Sequence, residues 1–292
     1  MRTNNTPDEP TWAVSTVTAA GKRFWIAYGK GVTSESDPVA AAYRAGSLKH
    51  LSTLIQVAMN VLQPGSRVLD LGAHLGGFAL TAAALGCEVI AVEASAQHAA
   101  LLRISAEHND FRNLHVIHAA VGDASGVVEF SPHGPWGHVA TPATGMPSVS
   151  VPAIRIDDLL AQRGWHSVHF IKLDVEGSEV RAIRGMQRLL ERPDAPPIFF
   201  ESNRYALGFY GESPDGLRAE FRRLGYVVYH VRSGVLIPTR ETDTQEKTVV
   251  DYLAAKRLPL RLRAWRRTSA RSLWWRLRRA LPGEVGRARG MK

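Results

Sequence analysis

Acidic side chains sit where the apolar runs of this chain stop. Asp70 lies in Arg67–Leu71, two residues before the first glycine of a Gly72-x-x-x-Gly76-Gly77 turn. Glu93 closes the run Cys87–Val92, twenty-one residues past Gly72. Lys172 and Asp174 end the run Val168–Leu173, spaced to share one face of a strand, and Glu176 and Glu179 follow on the turn. Glu201 closes Pro197–Phe200. The first group suits a ligand with a cationic end: this turn is not the Gly-x-Gly-x-x-Gly of a pyrophosphate site, and Asp70 favours a positive charge. An acid placed as Glu93 is can accept both hydroxyls of a ribose. In the second group, Asp174, Glu176 and Glu201 could accept a hydroxyl proton or orient an acceptor. Two such carboxylates could also hold Mg²⁺, although no metal is expected. The same Lys–Glu cluster could instead fix the strand–helix turn, with Glu179 placed to suit the helix dipole.

Those residues need a frame that brings strand ends together. Thr11–Val17 and Arg23–Tyr28 predict a short hairpin, and residues 1–10 are polar and expected to fray. Leu48, Leu51, Ile55, Ala58 and Leu62 recur at helical spacing over Ser47–Leu62, which Pro64-Gly65 ends. Apolar runs then alternate with helical stretches (Gly77–Leu85, Ala96–His108, Ser178–Leu190, Pro214–Leu224), with Leu114–His118 a third strand. Val127–Phe130 and Ser148–Ile156 flank a Gly/Pro-rich loop, Ser131–Pro147, and Tyr226–Val231 with Val235–Pro238 read as a closing antiparallel pair. Continuous apolar strands alternating with helices predict a doubly wound, mostly parallel α/β sheet over residues 45–245. The loop holds His133, Trp136 and His138, which could form an acceptor lid carrying a base; solvated loop histidines are the expected reading. No His-x-x-x-His or Cys-x-x-Cys spacing supports zinc.

Val68-Leu-Asp-Leu-Gly-Ala-His-Leu-Gly76, Val92-Glu-Ala94, Ala119-Ala-Val-Gly-Asp123 and above all Ile171-Lys-Leu-Asp-Val-Glu-Gly-Ser-Glu179 resemble the FkbM family of S-adenosylmethionine-dependent methyltransferases. The likeness runs over about residues 65–230. It implies a Rossmann-like class I methyltransferase sheet of seven strands ordered 3-2-1-4-5-7-6, with S-adenosyl-L-methionine as cofactor. Carried over position by position, Asp70, Gly72, His74 and Gly76 form the methionine-end loop. Glu93 and Ala94 hold the ribose, and Gly122 and Asp123 reach the adenine. Lys172, Asp174, Glu176 and Glu201 lie on the acceptor side. His74 stands where the family usually has Asn. The family's usual chemistry implies O-methylation of a sugar, glycan or related small molecule. A non-catalytic interaction protein that keeps the fold, and a nucleic-acid methyltransferase, are the alternatives.

Composition narrows the rest. A chain of 292 residues, 45% hydrophobic and 22% charged, is globular. Cys87 alone excludes an internal disulfide, and with no hydrophobic signal core or membrane span a cytoplasmic protein is expected. Net charge is +9, but residues 256–292 carry 13 Lys or Arg against the single Glu284. The preceding body is slightly acidic, so general affinity for nucleic acid is not expected. Residues 1–44 thus read as an amino-terminal extension and 246–292 as a basic, Trp/Arg-rich tail. Leu262, Trp265, Leu273, Leu277 and Leu281 fall on one side of a helix there, suiting peripheral attachment to an anionic membrane surface or an acidic partner.

Overall fold

A computed structural model describes residues 11–30, 37–133, 136–141, 146–232 and 234–265. Strands β1 (Trp12–Ala19) and β2 (Lys22–Gly29) form the expected hairpin. Its turn residues Ala20 and Gly21 both have positive φ, 50° and 72°, the hand that matches strand twist. Helix α1 (Pro38–Arg44) was not foreseen; the Asp37 carboxylate caps it, accepting from the backbone N–H groups of Val39 and Ala40. The helix expected over Ser47–Leu62 is a 3-10 turn, Lys49–Leu51, running into α2 (Ser52–Met59).

The alternation follows: β3 (Arg67–Leu71), α3 (Gly77–Ala84), β4 (Glu88–Glu93), α4 (Ala96–His108) and β5 (Leu114–His118). Strands β6 (Ala120–Val121), β7 (Gly126–Ser131), β8 (His138–Val139) and β9 (Val149–Ile154) make a separate small sheet ordered β6-β9-β7-β8. Then come α5 (Ile156–Gln162), β10 (Phe170–Leu173), α6 (Glu179–Gly185), α7 (Gln187–Glu191), β11 (Ile198–Asn203), α8 (Arg204–Gly208) and α9 (Pro214–Arg223). Strands β12 (Val227–Arg232), β13 (Val235–Pro238) and β14 (Val249–Ala255) and the short α10 (Leu260–Arg263) end the described chain. The main sheet runs β13-β12-β14-β11-β10-β3-β4-β5. Its β5-β4-β3-β10-β11 half is parallel, and β14, β12 and β13 are antiparallel. This is the mostly parallel class I α/β architecture, covered on both faces. In β3, Val68 joins the apolar cluster under the hairpin, α2 and α3, whereas Leu69 and Leu71 join the cluster under α5, α6 and α9. A strand buried on both sides has no polar alternation, which is why these runs read as continuous.

Four expectations need correction. Eight strands stand where seven were expected, because β14, which was not expected, joins the sheet beside the foreseen β12–β13 pair. The sheet also runs past residue 245: β14 inserts between β11 and β12, so Ala255 still belongs to it. The single helix expected over Ser178–Leu190 breaks at Met186 into α6 and α7. The basic segment is not separate from its first residue either. Leu262 is fully buried, Trp265 packs on the core, and the Trp265 carbonyl accepts from the Leu236 N–H. The frayed residues 1–10 and the tail helix beyond residue 265 lie outside the described residues. No helix among the described residues is long and apolar enough to cross a membrane.

Candidate active site

The carboxyl ends of β3, β4, β10 and β11 and the amino end of the antiparallel β14 converge on two adjoining cavities that share Gly72, His74, Asp174 and Glu176 as their common wall. One is bounded by Glu93, Ala94 and Ala119–Val121 and roofed by the small sheet through Phe130, His138 and Val139. The other holds Asp70, Lys172, Glu201, Asn203 and Asp251, with Tyr43 and His50 from the amino-terminal segment and Trp136 at its rim.

In β3 and β10, Asp70 and Lys172 are directly opposed in register. The Lys172 ammonium donates to the Gly72 carbonyl at 2.7 Å and lies 3.4 Å from Asp70 Oδ1 and 3.2 Å from Asp174 Oδ2. Although buried, this ammonium is held above its ordinary range by Asp174 and Asp70, which outweigh its desolvation. Its three donors are therefore spoken for, and it keeps its proton. Asp70 is fully buried, and apart from the Lys172 ammonium 3.4 Å from Oδ1 neither carboxylate oxygen has a hydrogen-bond partner. Burial pushes it up to about 6, against the pull of Lys172.

Glu93 is fixed by backbone: the His74 N–H donates to Oε2 at 2.7 Å and the Ser95 N–H to Oε1 at 2.8 Å. Each oxygen keeps a lone pair for a diol. Despite burial, the nearby His98 ring and these N–H donors hold Glu93 below its usual range. His74 reaches back to Asp37 across 3.3 Å and meets the His98 ring edge-on at 4.2 Å between centroids. Burial lowers the His74 imidazole. The amino-terminal segment is thus tied to the loop after β3.

The glycines of that loop serve packing more than ligand approach. A Cβ on Gly72 (φ 76°) would fall 1.8 Å from the Asp174 carbonyl oxygen, and one on Gly76 (φ 85°) 2.0 Å from Leu102. Gly76 lines neither cavity. By contrast, His74 and Glu176 hold positive φ, 52° and 49°, without being glycines, and both stand on the wall the cavities share. Strained backbone of this kind persists where the surrounding structure imposes it, and it collects at working sites.

On the acceptor side, carboxylate oxygens of Asp174, Glu176 and Glu201 lie within 4.8 Å of one another. Desolvation first, then Asp174's charge, pushes Glu176 and Glu201 well above the carboxylate range. Asp251, pushed up to about 6 by burial, faces Glu201 directly across the β11–β14 pair. Asn203 offers its carboxamide 3.5 Å from Glu176 Oε2. Such a group can take a proton from a hydroxyl, hold several hydroxyls by hydrogen bonds, or offer oxygen donors to a hard cation. Glu179 is set apart: fully buried, it accepts from the N–H groups of Val175 and Gly177, so it fixes the turn.

Two expected positions are not brought to the site. Asp123 is exposed, and Gly122 packs its carbonyl where a Cβ on Gly185 would sit, 2.0 Å away. Neither lines a cavity, because the loop after β6 is pressed onto the end of α6 instead. The solvated reading of the loop histidines holds for His133 but not for His138, which is 5% exposed. Asp251, Asn203 and Tyr43 were not singled out from the sequence. Asp251 follows two valines at the start of an apolar run, the same kind of signal as Glu201, but its run was not read as a strand.

S-Adenosyl-L-methionine carries an ammonium, a ribose diol and an adenine, and the residues present fit these groups. The Asp70 carboxylate, whose Oδ2 has no partner, suits the ammonium, and the preset Glu93 suits the diol. Over a 106-residue stretch the chain is 32% identical to the 23S rRNA (uracil(1939)-C(5))-methyltransferase RlmD of Shewanella sp. (strain MR-7), a match covering 34% of this chain but 23% of that one. It is also similar to an S-adenosylmethionine-dependent methyltransferase from Agrobacterium tumefaciens (16% identity, 85% of this chain and 71% of that one, TM-score 0.42). A third likeness is to the T. thermophilus 16S rRNA N2 G1207 methyltransferase RsmC, solved with AdoMet and guanosine (15% identity, 86% and 52%, TM-score 0.42). The Methyltransferase FkbM domain matches residues 70–228, more than half of the chain. The strand-end acids, the bend between them and this match together place the protein in the FkbM family of S-adenosyl-L-methionine-dependent methyltransferases.

Proposed function

We propose that this enzyme transfers the methyl group to a hydroxyl of a sugar, glycan or related small molecule. The observation that carries the reading is the acceptor cavity itself. Asp174, Glu176, Glu201, Asn203 and Asp251 crowd hydrogen-bonding oxygens around one space, and the half-exposed Trp136 offers a flat apolar face at its rim. A polyhydroxylated ring presents both kinds of surface.

When bound, the cofactor would supply a sulfonium-activated methyl group, the acceptor oxygen gaining the methyl carbon as S-adenosylhomocysteine leaves as a neutral thioether. The protein's share is alignment and removal of one proton. Glu176 or Glu201, in ionised form, takes the hydroxyl proton. Asp174 orients the acceptor, while Lys172 is a positioning residue that clamps Asp70, Asp174 and the Gly72 carbonyl together. Asp70 and Glu93 bind the cofactor, with Gly72, His74 and Ala94 as the wall around it.

No metal is required in this scheme, and the carboxylate trio makes that testable. Dialysis against EDTA should leave turnover intact; loss that Mg²⁺ restores would reassign Asp174, Glu176 and Glu201 as ligands. Methylation of carbon 5 of a pyrimidine needs a thiolate, and the sole cysteine, Cys87, is buried at the other end of β4. Carbon-5 methylation of a nucleic-acid base is therefore disfavoured, as is a non-catalytic role for so costly an acid cluster. The decisive assay offers methyl-labelled cofactor to panels of glycans, hydroxylated metabolites and RNA, with products read by mass spectrometry. O-methylation in the first two supports the proposal, and label on RNA alone would overturn it. We place the enzyme in the cytoplasm, with the basic residues of 256–292 docking on an anionic membrane surface or acidic partner.

A further inference from the structure

The cavity beyond Glu93 has apolar walls from Ala119, Val121, Phe130 and Val139, a slot suited to a flat ring. A slot alone would hold any purine. Three lining residues, His74, Ser178 and His138, carry a buried polar atom without a hydrogen-bond partner; His74 Nε2 lies 3.3 Å from Asp37, and among the roof residues His138 alone has one. His138, in β8, is 5% exposed and lines this cavity, and its Nε2 is buried without a partner. The other ring nitrogen settles the tautomer: Nδ1 lies 2.9 Å from the Trp136 carbonyl oxygen, which can only accept, so Nδ1 carries the proton. In the neutral ring Nε2 is then a bare acceptor. The ring cannot easily turn away. It stacks on Phe209 (5.4 Å between centroids, 20° between planes), and its strand is held by the β7 pairing and by the Tyr210 hydroxyl, which donates to the Val139 carbonyl at 2.6 Å. A buried acceptor without a donor is costly to keep, and this one faces a cavity where a ligand's donor could complete it.

We propose that His138 reads the adenine of the cofactor, its Nε2 accepting a hydrogen bond from the exocyclic 6-amino group. This fills the place that Asp123, exposed on the loop after β6, does not reach. It rests on the cofactor alone and is independent of the methyl acceptor.

The test compares binding of S-adenosylhomocysteine with S-inosylhomocysteine, whose 6-oxo group presents an acceptor in place of the amino donor. By calorimetry the unmodified protein should prefer the adenosyl form by about 10–100-fold. His138→Phe keeps an aromatic ring on Phe209 and should bring the two ligands to similar affinity, mainly by weakening the adenosyl form. Should the variant fold poorly, the unmodified protein still answers: the His138 Nε2 ¹⁵N resonance should shift with S-adenosylhomocysteine and not with the inosyl form. Discrimination that survives in His138→Phe, or an Nε2 signal indifferent to S-adenosylhomocysteine, would overturn the assignment.

Discussion

Glu176 and Glu201 compete for charge in one cavity, and that competition sets what each can do. Both hold protons more tightly than a free carboxyl, chiefly through desolvation and then through Asp174. The base must be ionised to accept a hydroxyl proton, so kcat should climb on the alkaline side of neutrality rather than level off near the carboxylate range. A pH profile of kcat already flat at mildly acid pH would count against both residues. Replacing the true base by glutamine should cost about 10²–10⁴-fold in kcat and leave S-adenosylhomocysteine affinity unchanged. Glu93→Ala should do the opposite, raising the dissociation constant about 10–100-fold through loss of charge-assisted hydrogen bonds. These acids were legible because a carboxylate ending an apolar run is visible in any register. His138 was not, because burial of a loop histidine depends on a partner, Phe209, far along the chain.

Elements explain where single-residue reading stops. Glu201 and Asp251 are directly opposed on β11 and β14, a like-charge pair that a sheet tolerates only at a cost. Asp251→Asn should therefore raise the melting temperature above about pH 9, where Glu201 (pushed up to about 9) as well as Asp251 has lost its proton, and lower the acceptor-dependent rate. A destabilised Asp251→Asn protein at that pH would contradict the opposition of charges. The parallel half of the sheet could be read because its strands alternate with helices and are apolar throughout. β14 was hidden because a polar stretch and a basic segment flank it, and β8 because two residues carry no periodicity. Gly76 was legible as a turn, but its cause lies in α4. With φ at 85° and Leu102 against the missing Cβ, Gly76→Ala should destabilise by roughly 1–3 kcal/mol. Thermal unfolding checks this, and the loss should appear with or without cofactor.

At the scale of the molecule, the site is built at the expense of the fold, and pH exposes the balance. Burial pushes Asp70 up to about 6, Glu179 to about 7 and Asp251 to about 6, whereas in an unfolded chain they titrate near 4. Between about pH 4 and 7 the folded protein thus keeps protons that the unfolded chain has released. Stability without cofactor should fall as pH rises through that window. Cofactor binding should work against the fall: an ionised Asp70 pairs with the ligand's ammonium, but a protonated one must first lose its proton. The rise in melting temperature produced by a fixed saturating concentration of S-adenosylhomocysteine should consequently grow from pH 5 to pH 7.5. Asp70→Asn, which cannot ionise, should remove most of that growth while the ligand still binds through Glu93. A ligand-induced shift independent of pH in the unmodified protein would mean that Asp70 does not meet the ammonium. The comparison belongs in a chain kept at least to Trp265, since cutting after Ala255 would strip the buried Leu262 and unsettle the sheet edge.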